Sequence, residues 1–196
     1  DGTPSNKPFV YRIHDDPDPE KINNFSTFVN QFGHQMNLQT PKEIANSMNR
    51  VLADVSGKRE ENMVELLAIR TMSKAKYTIE NIGHYGLGFD YYSHFTSPIR
   101  RWPDVMVHRL LQRYLDGEKV TEKEAIEEQC KHSSAMEKLS TDAERSSIKY
   151  MQVKYLMGKV GQDFMGSVSG VTEFGMFIEL KESLCEGLVS MRDLKD

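Results

Sequence analysis

The residues with the clearest chemical potential are two adjacent arginines, Arg100 and Arg101, in the segment SHFTSPIRRWPDVMVHRLLQRYL. Pro98 and Pro103 restrict the backbone on either side, and the apolar pattern after Pro103 predicts a helix that begins there. Rigid guanidinium groups beside the positive end of a helix suit the binding of phosphate oxygens. The structural alternative is that Asp104 or another acid pairs with one arginine while the other is solvated. The residues alone do not choose between these interpretations.

A second candidate group lies on a long predicted helix that opens near Thr121. Glu137 and Glu144 are seven residues apart and share one helical face, and neither has a lysine or arginine three or four residues away. Such a face can bind a ligand such as ribose through hydrogen bonds, but the residues alone favour the alternative of a solvated surface. The hydroxyl residues on this face are Ser133, Ser134, Ser140, Thr141 and Ser147.

Other residue types that bind metals or act as nucleophiles form no recognisable motif. The acidic run HDDPDPE could hold a divalent cation, but Asp18 followed by Pro19 is typical of a helix start, which we prefer. The six histidines lack zinc-binding spacing, and no phosphate-binding loop or nucleophile elbow occurs. We therefore expect no metal site within this chain.

Composition and charge are those of an ordinary globular protein. The 196 residues are 38% hydrophobic and 28% charged, with a formal net charge of −4, which argues against a general nucleic-acid coat but allows a local basic groove. No apolar run approaches the roughly 20 residues that a membrane helix needs, and two isolated cysteines fit a reducing, cytoplasmic setting. The sequence starts with Asp rather than Met, so we expect a piece of a longer protein.

The elements that must position these residues are mostly helices. Three are predicted in the first half of the chain: one opening at Asp18, one at the capping box of Thr40, and a third between Met63 and Ala75. The third is apolar nearly all round, so we expect it to be a buried core helix. Alternating aromatics in HYGLGFDYYSHF predict an extended segment before the arginines. The long helix is predicted to end near Leu156, and short strands with glycine turns follow.

Several of these motifs, in this order, resemble the signature of the RNB family, the ribonuclease II and ribonuclease R exoribonucleases. The strongest is HYGLGFDYYSHFTSPIRRWPDVMVHRLL, flanked by KPFVYRIHDDPDPEKINNF, ENMVELLAIRTMSKAKYTIENIG and STDAERSSIKYMQVKYLM. The match covers about residues 7–157 and looks nearest to bacterial ribonuclease R, with Trp102 where the family more often has Tyr. The resemblance implies an α+β fold, in which residues 1–157 form the mostly helical C-terminal part of an RNB nuclease domain.

The residues after the long helix resemble the start of an S1 domain, the OB-fold RNA-binding module of this family. GMFIEL and EGLVSMRDL are similar to its strands, so we expect the first strands of an OB-fold β-barrel, cut short, over residues 160–196. Phe164, Phe174 and Phe177 are candidates for its base-stacking aromatics. Phenylalanines in half a barrel can also pack in a core, so both roles stay open.

The resemblance also implies a function. A member of this family is a Mg²⁺-dependent hydrolase that releases nucleoside 5′-monophosphates processively from the 3′ end of single-stranded RNA. Arg100 would grip the phosphate near the scissile bond, Arg101 would hold a neighbouring phosphate or the loop itself, and Glu144 would position the 3′-terminal nucleotide. The further candidates for lining the RNA channel are Thr96, Ser97, His84 and Glu137.

One departure from the family pattern limits the expected activity. The family's acidic metal-binding cluster, D-x5-D-x-D-D, does not occur in this sequence. We therefore expect the Mg²⁺ ligands upstream of this chain and no cleavage of RNA by these 196 residues alone. We separately expect a monomeric protein. The alternatives are a non-catalytic RNA-binding protein that keeps the RNB scaffold, and a protein-interaction module that uses the acidic surface.

Overall fold

A computed structural model describes residues 7–193 of the chain. The α+β prediction is confirmed, with helices and a small two-stranded sheet first and a three-stranded antiparallel sheet last. No helix in this described range is long and apolar enough to cross a membrane. The elements are β1 Tyr11–Ile13, α1 Pro19–Asn30, α2 Pro41–Val55, α3 Glu61–Thr71, β2 Lys76–Thr78, a 3-10 turn Tyr85–Leu87, α4 Trp102–Leu115, α5 Lys123–Met157, β3 Gly166–Thr172, β4 Gly175–Leu180 and β5 Glu186–Ser190.

The chain divides into two compact units, Asp1–Met136 and Glu137–Asp196. The division falls inside α5, which is one continuous helix, so its first part belongs to the first unit and its remainder to the second. The boundary expected near residue 157 separates two domains defined by family resemblance, whereas the boundary after Met136 separates two units defined by packing. The domain boundary near residue 157 stays a prediction.

The first three helices begin where local capping chemistry places them. The Asp18 carboxylate accepts hydrogen bonds from the first amides of α1, and Thr40 Oγ1 accepts from the Glu43 amide at the start of α2. Both predicted helix starts are confirmed, because these side chains satisfy amides that the helix itself leaves unpaired. The helices pack around one apolar cluster, formed by Ile22, Phe25, Val29, Met48, Val51, Val55, Val64 and Ala68.

The prediction for α3 is wrong in two respects. The helix ends at Thr71 rather than Ala75, and it is not buried all round, because Met63 is 49% exposed and Ile69 is 71% exposed. Within the described residues its packing neighbours are α1 and α2, which cover one side only. A uniformly apolar sequence does not specify which side of a helix finds neighbours.

A second apolar cluster packs α4, the helix that follows the arginine segment, against its neighbours. It joins the antiparallel pair β1–β2, in which Arg12 is opposite Tyr77, to α4 and to the first part of α5. The amide of Tyr77 donates to Ser134 Oγ on α5 at 2.9 Å, which ties the small sheet to the helix. The buried members are Val10, Tyr77, Met106, Val107, Leu110, Val120, Ile126 and Cys130.

The second unit contains the sheet β3–β4–β5, in which each neighbouring pair is antiparallel. Gly175 opens β4 with φ of 154°, and a Cβ there would lie 2.1 Å from the Val189 carbonyl oxygen, so only glycine fits. Within this unit, the Lys149 ammonium on α5 donates to the Glu186 carbonyl at the start of β5, and the Gln152 amide donates to the Leu184 carbonyl just before that strand. The sheet is therefore tied to the last part of α5.

Candidate nucleic-acid site

The arginine segment forms a closed turn directly before α4. The amides of Arg100 and Arg101 both donate to the Ser97 carbonyl, at 3.2 and 3.1 Å. Pro98 fixes φ at the start of the turn, and Pro103 lies in the first turn of α4, where a helix needs no amide donor. The backbone that carries both arginines is thus shaped by its own hydrogen bonds.

Asp104 lies under this turn and is fully buried. Its Oδ2 accepts from the Ser97 amide at 2.6 Å and from Arg101 Nη2 at 3.0 Å. Its Oδ1 is 3.0 Å from Arg101 Nε, an ion-pair distance without the alignment of a hydrogen bond. A carboxylate in the first turn of α4 also complements the positive end of that helix. One carboxylate therefore ties both ends of the turn.

Arg100 is in a different environment, although it is the neighbour of Arg101. Its guanidinium is exposed, and Nη2 donates to Ser97 Oγ at 3.3 Å. Among residues 7–193, no carboxylate lies within ion-pair distance of Arg100, so most of its donors are available to a ligand. The two interpretations that the sequence left open therefore apply to different residues: Arg101 is paired internally, and Arg100 is not.

Aromatic stacks flank the turn. The rings of Phe95 and His108 stack with centroids 4.2 Å apart, and the Arg109 guanidinium lies 5.1 Å from the centre of the Trp102 ring. Thr96, which was predicted to line the RNA channel, is exposed beside Phe95. Residue spacing had not identified Phe95 or His108 as site residues. The sequence indicated them only in that both are aromatic residues close to the arginines.

The segment before the turn differs from its prediction. HYGLGFDYY was expected to be extended, but Tyr85–Leu87 form a 3-10 turn, followed by Gly88 with φ of 67°. The Gly88 amide donates back to the His84 carbonyl at 2.9 Å. Glycine makes this left-handed conformation accessible, and the resulting turn competes successfully with a strand. The prediction of an extended segment is therefore wrong between Tyr85 and Gly88.

His84 was predicted to line the RNA channel, and its chemistry is that of a neutral ring. It stacks on His14 with centroids 5.1 Å apart, and Tyr92 meets it edge-on. Burial, followed by the proximity of His14, lowers the pKa of His84 below its ordinary value of 6.5. A cavity of about 690 Å³ lies beside these rings, with Tyr85 among its lining residues. His84 is thus suited to hydrogen bonding or stacking rather than to neutralising phosphate.

The hydroxyl and carboxylate face predicted along α5 is not one continuous surface. Ser133 is buried and Ser134 is half-buried in the first unit, where their hydroxyls donate to carbonyls one turn earlier. Glu137 and Glu144 lie on the part of α5 that belongs to the second unit, and both are exposed. Glu144 has no hydrogen-bonding or charged partner among the described residues. The remaining exposed hydroxyl residues of this face are Ser140, Thr141 and Ser147.

The three candidate phenylalanines differ in exposure. Phe174, just before β4, is 77% exposed, whereas Phe164 is 37% exposed with the Lys159 ammonium 5.9 Å from its ring centre. Phe177, within β4, is half-buried and packs over Gly170 of β3. Phe174 is therefore best presented for stacking on a base, and Phe177 least.

The residues present do not fit a Mg²⁺ site. In the described part of the chain, no three His, Cys, Asp or Glu side chains come together as potential ligands. Asp18, from the acidic run, is used as the cap of α1. A divalent cation with carboxylate ligands needs several oxygens at one point, and residues 7–193 do not provide such a group.

The predicted site residues are brought together only in part. Thr96, Ser97, Arg100 and Arg101 share one turn, and His84 lies elsewhere in the same unit. The second unit carries Glu137, Glu144, Phe164, Phe174 and Phe177.

A family model, described as RNB domain, matches residues 3–117, more than half of the chain. The chain belongs to the RNB domain family. The matched RNB region includes the whole turn from Ser97 to Arg101 and the helix α4 that follows it.

Curated RNB relatives are named ribonuclease R. The protein of Aquifex aeolicus (strain VF5) is 40% identical over 193 residues, and that of Escherichia coli (strain K12) is 32% identical over 203 residues. Each match covers 96% of this chain but only 27% and 24% of the respective relative. The chain thus spans about a quarter of the length of the curated relatives that it matches.

Solved structures with the same RNB fold include a nuclease and a pseudonuclease. Mycoplasma genitalium RNase R in complex with ribose methylated single-stranded RNA matches with a TM-score of 0.82 and 28% identity, over 96% of this chain and 30% of that one. Yeast Ssd1, a pseudonuclease, matches with a TM-score of 0.76 and 25% identity, over 94% and 24%. The fold therefore does not choose between a catalytic and a non-catalytic protein.

Proposed function

We propose that this chain is part of a hydrolytic exoribonuclease. The complete protein degrades single-stranded RNA processively from its 3′ end and releases nucleoside 5′-monophosphates, as a monomer in the cytoplasm. The observation that carries the proposal is Arg100, an exposed guanidinium with no carboxylate partner in residues 7–193, held on a closed turn at the start of a helix. The structure of an RNase R relative with single-stranded RNA supports RNA as the ligand.

Arg100 grips the phosphate next to the scissile bond. Hydrolysis adds negative charge to the phosphoryl oxygens in the transition state, and a fixed guanidinium stabilises that charge without having to reorganise. The bond from Arg100 Nη2 to Ser97 Oγ uses one of five N–H donors, so the others remain for phosphate. The hydroxyls of Thr96 and Ser97 supply weaker contacts to the sugar-phosphate backbone of the RNA.

Glu144 positions the 3′-terminal nucleotide. An ionised carboxylate accepts hydrogen bonds only, and the two hydroxyls of a terminal ribose are donors that match it. Its exposure and lack of a partner within residues 7–193 leave all its acceptor sites open. Glu137, two helical turns earlier, contacts the preceding part of the RNA.

Aromatic residues bind the RNA at positions remote from the reacting phosphate. Residues 160–196 are the start of an S1-type OB fold, in which Phe174 stacks on a base and Phe164 and Phe177 contribute less. His84, as a neutral ring, contacts sugar or base rather than phosphate.

The Mg²⁺ ions of the reaction are held by aspartates outside these 196 residues, because the D-x5-D-x-D-D pattern does not occur in the sequence. Ions held there would supply water activation and stabilisation of the leaving oxygen. The isolated 196-residue chain is therefore inactive. Clean release of mononucleotides by the purified chain in Mg²⁺ would contradict this view.

The test of the proposal is Arg100→Ala in the complete protein. We expect kcat on a labelled single-stranded RNA to fall by about 10²–10³-fold, with a much smaller rise in Kd, because the lost interaction strengthens in the transition state. Arg113→Ala is the matched control: this arginine on α4 pairs with Glu118 and Glu122, so its loss should leave kcat unchanged. A variant at position 100 with normal kcat and raised Kd alone would make the transition-state role wrong.

The same assay separates the alternatives. A complete protein that binds single-stranded RNA with strong salt dependence, yet releases no mononucleotides, is the non-catalytic RNA-binding protein. The pseudonuclease Ssd1 shows that this fold occurs without nuclease activity. A protein that shows no salt-dependent RNA binding is the interaction module.

A further inference from the structure

The tandem arginines have opposite surroundings, although they are adjacent in the chain. The Arg101 side chain is 23% exposed and lies against Asp104, whose side chain is 0% exposed. Arg100 is exposed, and within residues 7–193 its guanidinium bonds only to the Ser97 hydroxyl. Two positive charges in the sequence therefore amount to one at the surface of the turn.

A buried carboxylate constrains what Arg101 can do. Desolvating an ionised carboxylate is costly unless charged and polar donors replace water, and here the donors are the Arg101 guanidinium and the Ser97 amide. Two nitrogens of Arg101 lie 3.0 Å from the two oxygens of Asp104. Binding a phosphate with the same nitrogens would leave Asp104 buried with one donor.

The contacts form a chain that ends at Arg100. Asp104 holds the Ser97 amide, the Ser97 carbonyl accepts from the amides of Arg100 and Arg101, and Ser97 Oγ accepts from Arg100 Nη2. The backbone path and one side-chain contact of Arg100 therefore depend on Asp104.

We propose that Asp104 and Arg101 are a positioning pair that sets Arg100. Arg101 makes no phosphate contact; its guanidinium neutralises Asp104, and the pair fixes the turn that presents Arg100 alone to an RNA phosphate. The inference rests on the proposed role of Arg100, and it assigns the two arginines separate tasks.

This division of tasks has a consequence for the salt dependence of RNA binding. Each phosphate contact to single-stranded RNA contributes about 0.7 to the slope of log Kd against log salt concentration. Arg100 contributes one such contact and Arg101 none. Removing either arginine lowers the formal charge equally, so net charge cannot mimic the difference.

The experiment measures Kd for a labelled oligoadenylate without Mg²⁺, between roughly 50 and 200 mM salt, and kcat with Mg²⁺, in the complete protein. Arg100→Ala should lower the salt slope by about 0.7. Arg101→Ala and Asp104→Asn should keep the wild-type slope, because Arg100 stays at the surface and still contacts a phosphate, while kcat falls roughly tenfold to hundredfold, because its guanidinium no longer meets the transition state in the right geometry. The double variant that combines Arg101→Ala with Asp104→Asn should have a kcat no lower than that of the slower single variant, since both changes break the same ion pair.

Two further measurements keep the test decisive if Arg101→Ala folds poorly. Arg101→Lys preserves the charge but cannot meet both carboxylate oxygens with a rigid fork, so kcat should be intermediate at an unchanged salt slope. A melting curve shows which variants remain folded and can be compared.

Specific results would overturn the positioning pair. They are a drop in salt slope for Arg101→Ala equal to that for Arg100→Ala, a wild-type kcat for Arg101→Ala, or multiplicative losses in the double variant. If instead Arg100→Ala changes neither slope nor kcat, the proposed function of this turn fails, whatever the other variants do.

Discussion

The turn that carries Arg100 and the helical face that carries Glu144 are built in opposite ways. The turn is closed by backbone hydrogen bonds and tied at both ends to the buried carboxylate of Asp104. Glu144 lies in a stretch of α5, residues 141–150, in which every side chain is exposed. Its position is set by helical backbone geometry alone.

Arg100 is therefore held by a preorganised contact network, whereas Glu144 is only exposed on a helix surface. Where one contact network both closes a turn and places a functional side chain, a mutation changes stability and activity together. An exposed side chain on a helix is presented without such a network, so a mutation there changes activity alone. The two candidate site regions can therefore be distinguished by measuring both quantities for the same variants.

The largest expected effect concerns Asp104. Asp104→Ala removes the acceptor of the Ser97 amide and leaves the Arg101 guanidinium without its partner, so the free energy of unfolding should fall by about 3 kcal/mol. Glu144→Ala should change it by less than about 0.5 kcal/mol. Urea unfolding of the 196-residue chain can be followed through Trp102, its only tryptophan. Equal losses for the two variants would contradict the contrast between the regions.

Local chemistry explains which parts of the fold were predictable. The starts of α1 and α2 follow from Asp18 and Thr40, because a capping side chain acts on amides within three residues. The exposed side of α3 was not predictable, because it depends on where neighbours in other parts of the chain lie. The turn after His84 was missed because glycine permits several conformations, and period two alone favoured a strand.

The same limit applies to the candidate site. The spacing of Asp104 and Arg101 made an ion pair one of two open alternatives, but the path of the turn decides which arginine is paired. The stack of His84 on His14 joins residues far apart in sequence, so no spacing rule reveals it. The expected roles of Glu144 and Arg100 came from resemblance alone, and the two residues lie in different units.

The second prediction tests the exposed side of the contrast. Glu144→Gln in the complete protein should lower kcat by roughly tenfold to hundredfold, because a neutral amide is a weaker acceptor for the terminal ribose hydroxyls. The melting temperature should not change. Glu128→Gln, at another exposed glutamate of α5, is the matched control and should leave kcat unchanged. A lower melting temperature for Glu144→Gln would show that this carboxylate has a structural role.

The smallest expected effect extends the contrast along α5, whose first part is packed in a core. Cys130 on that part is fully buried, and burial, with Glu127 nearby, raises the pKa of its thiol from 9.0 to about 12. Above pH 9 the thiol ionises in the unfolded chain but stays protonated in the folded one, so the unfolded state binds fewer protons and stability falls as pH rises toward 12.

Between pH 8 and pH 10, this loss for Cys130 amounts to about 1.4 kcal/mol, the cost of one pKa unit. Cys130→Ala should have lower stability at pH 8, because a buried side chain is removed, but its decline toward pH 10 should be shallower than that of the wild type by the same amount. Urea unfolding of both proteins at pH 8, 9 and 10 measures the difference. Parallel declines would mean that solvent reaches Cys130, and that the first part of α5 is packed no better than the part that presents Glu144.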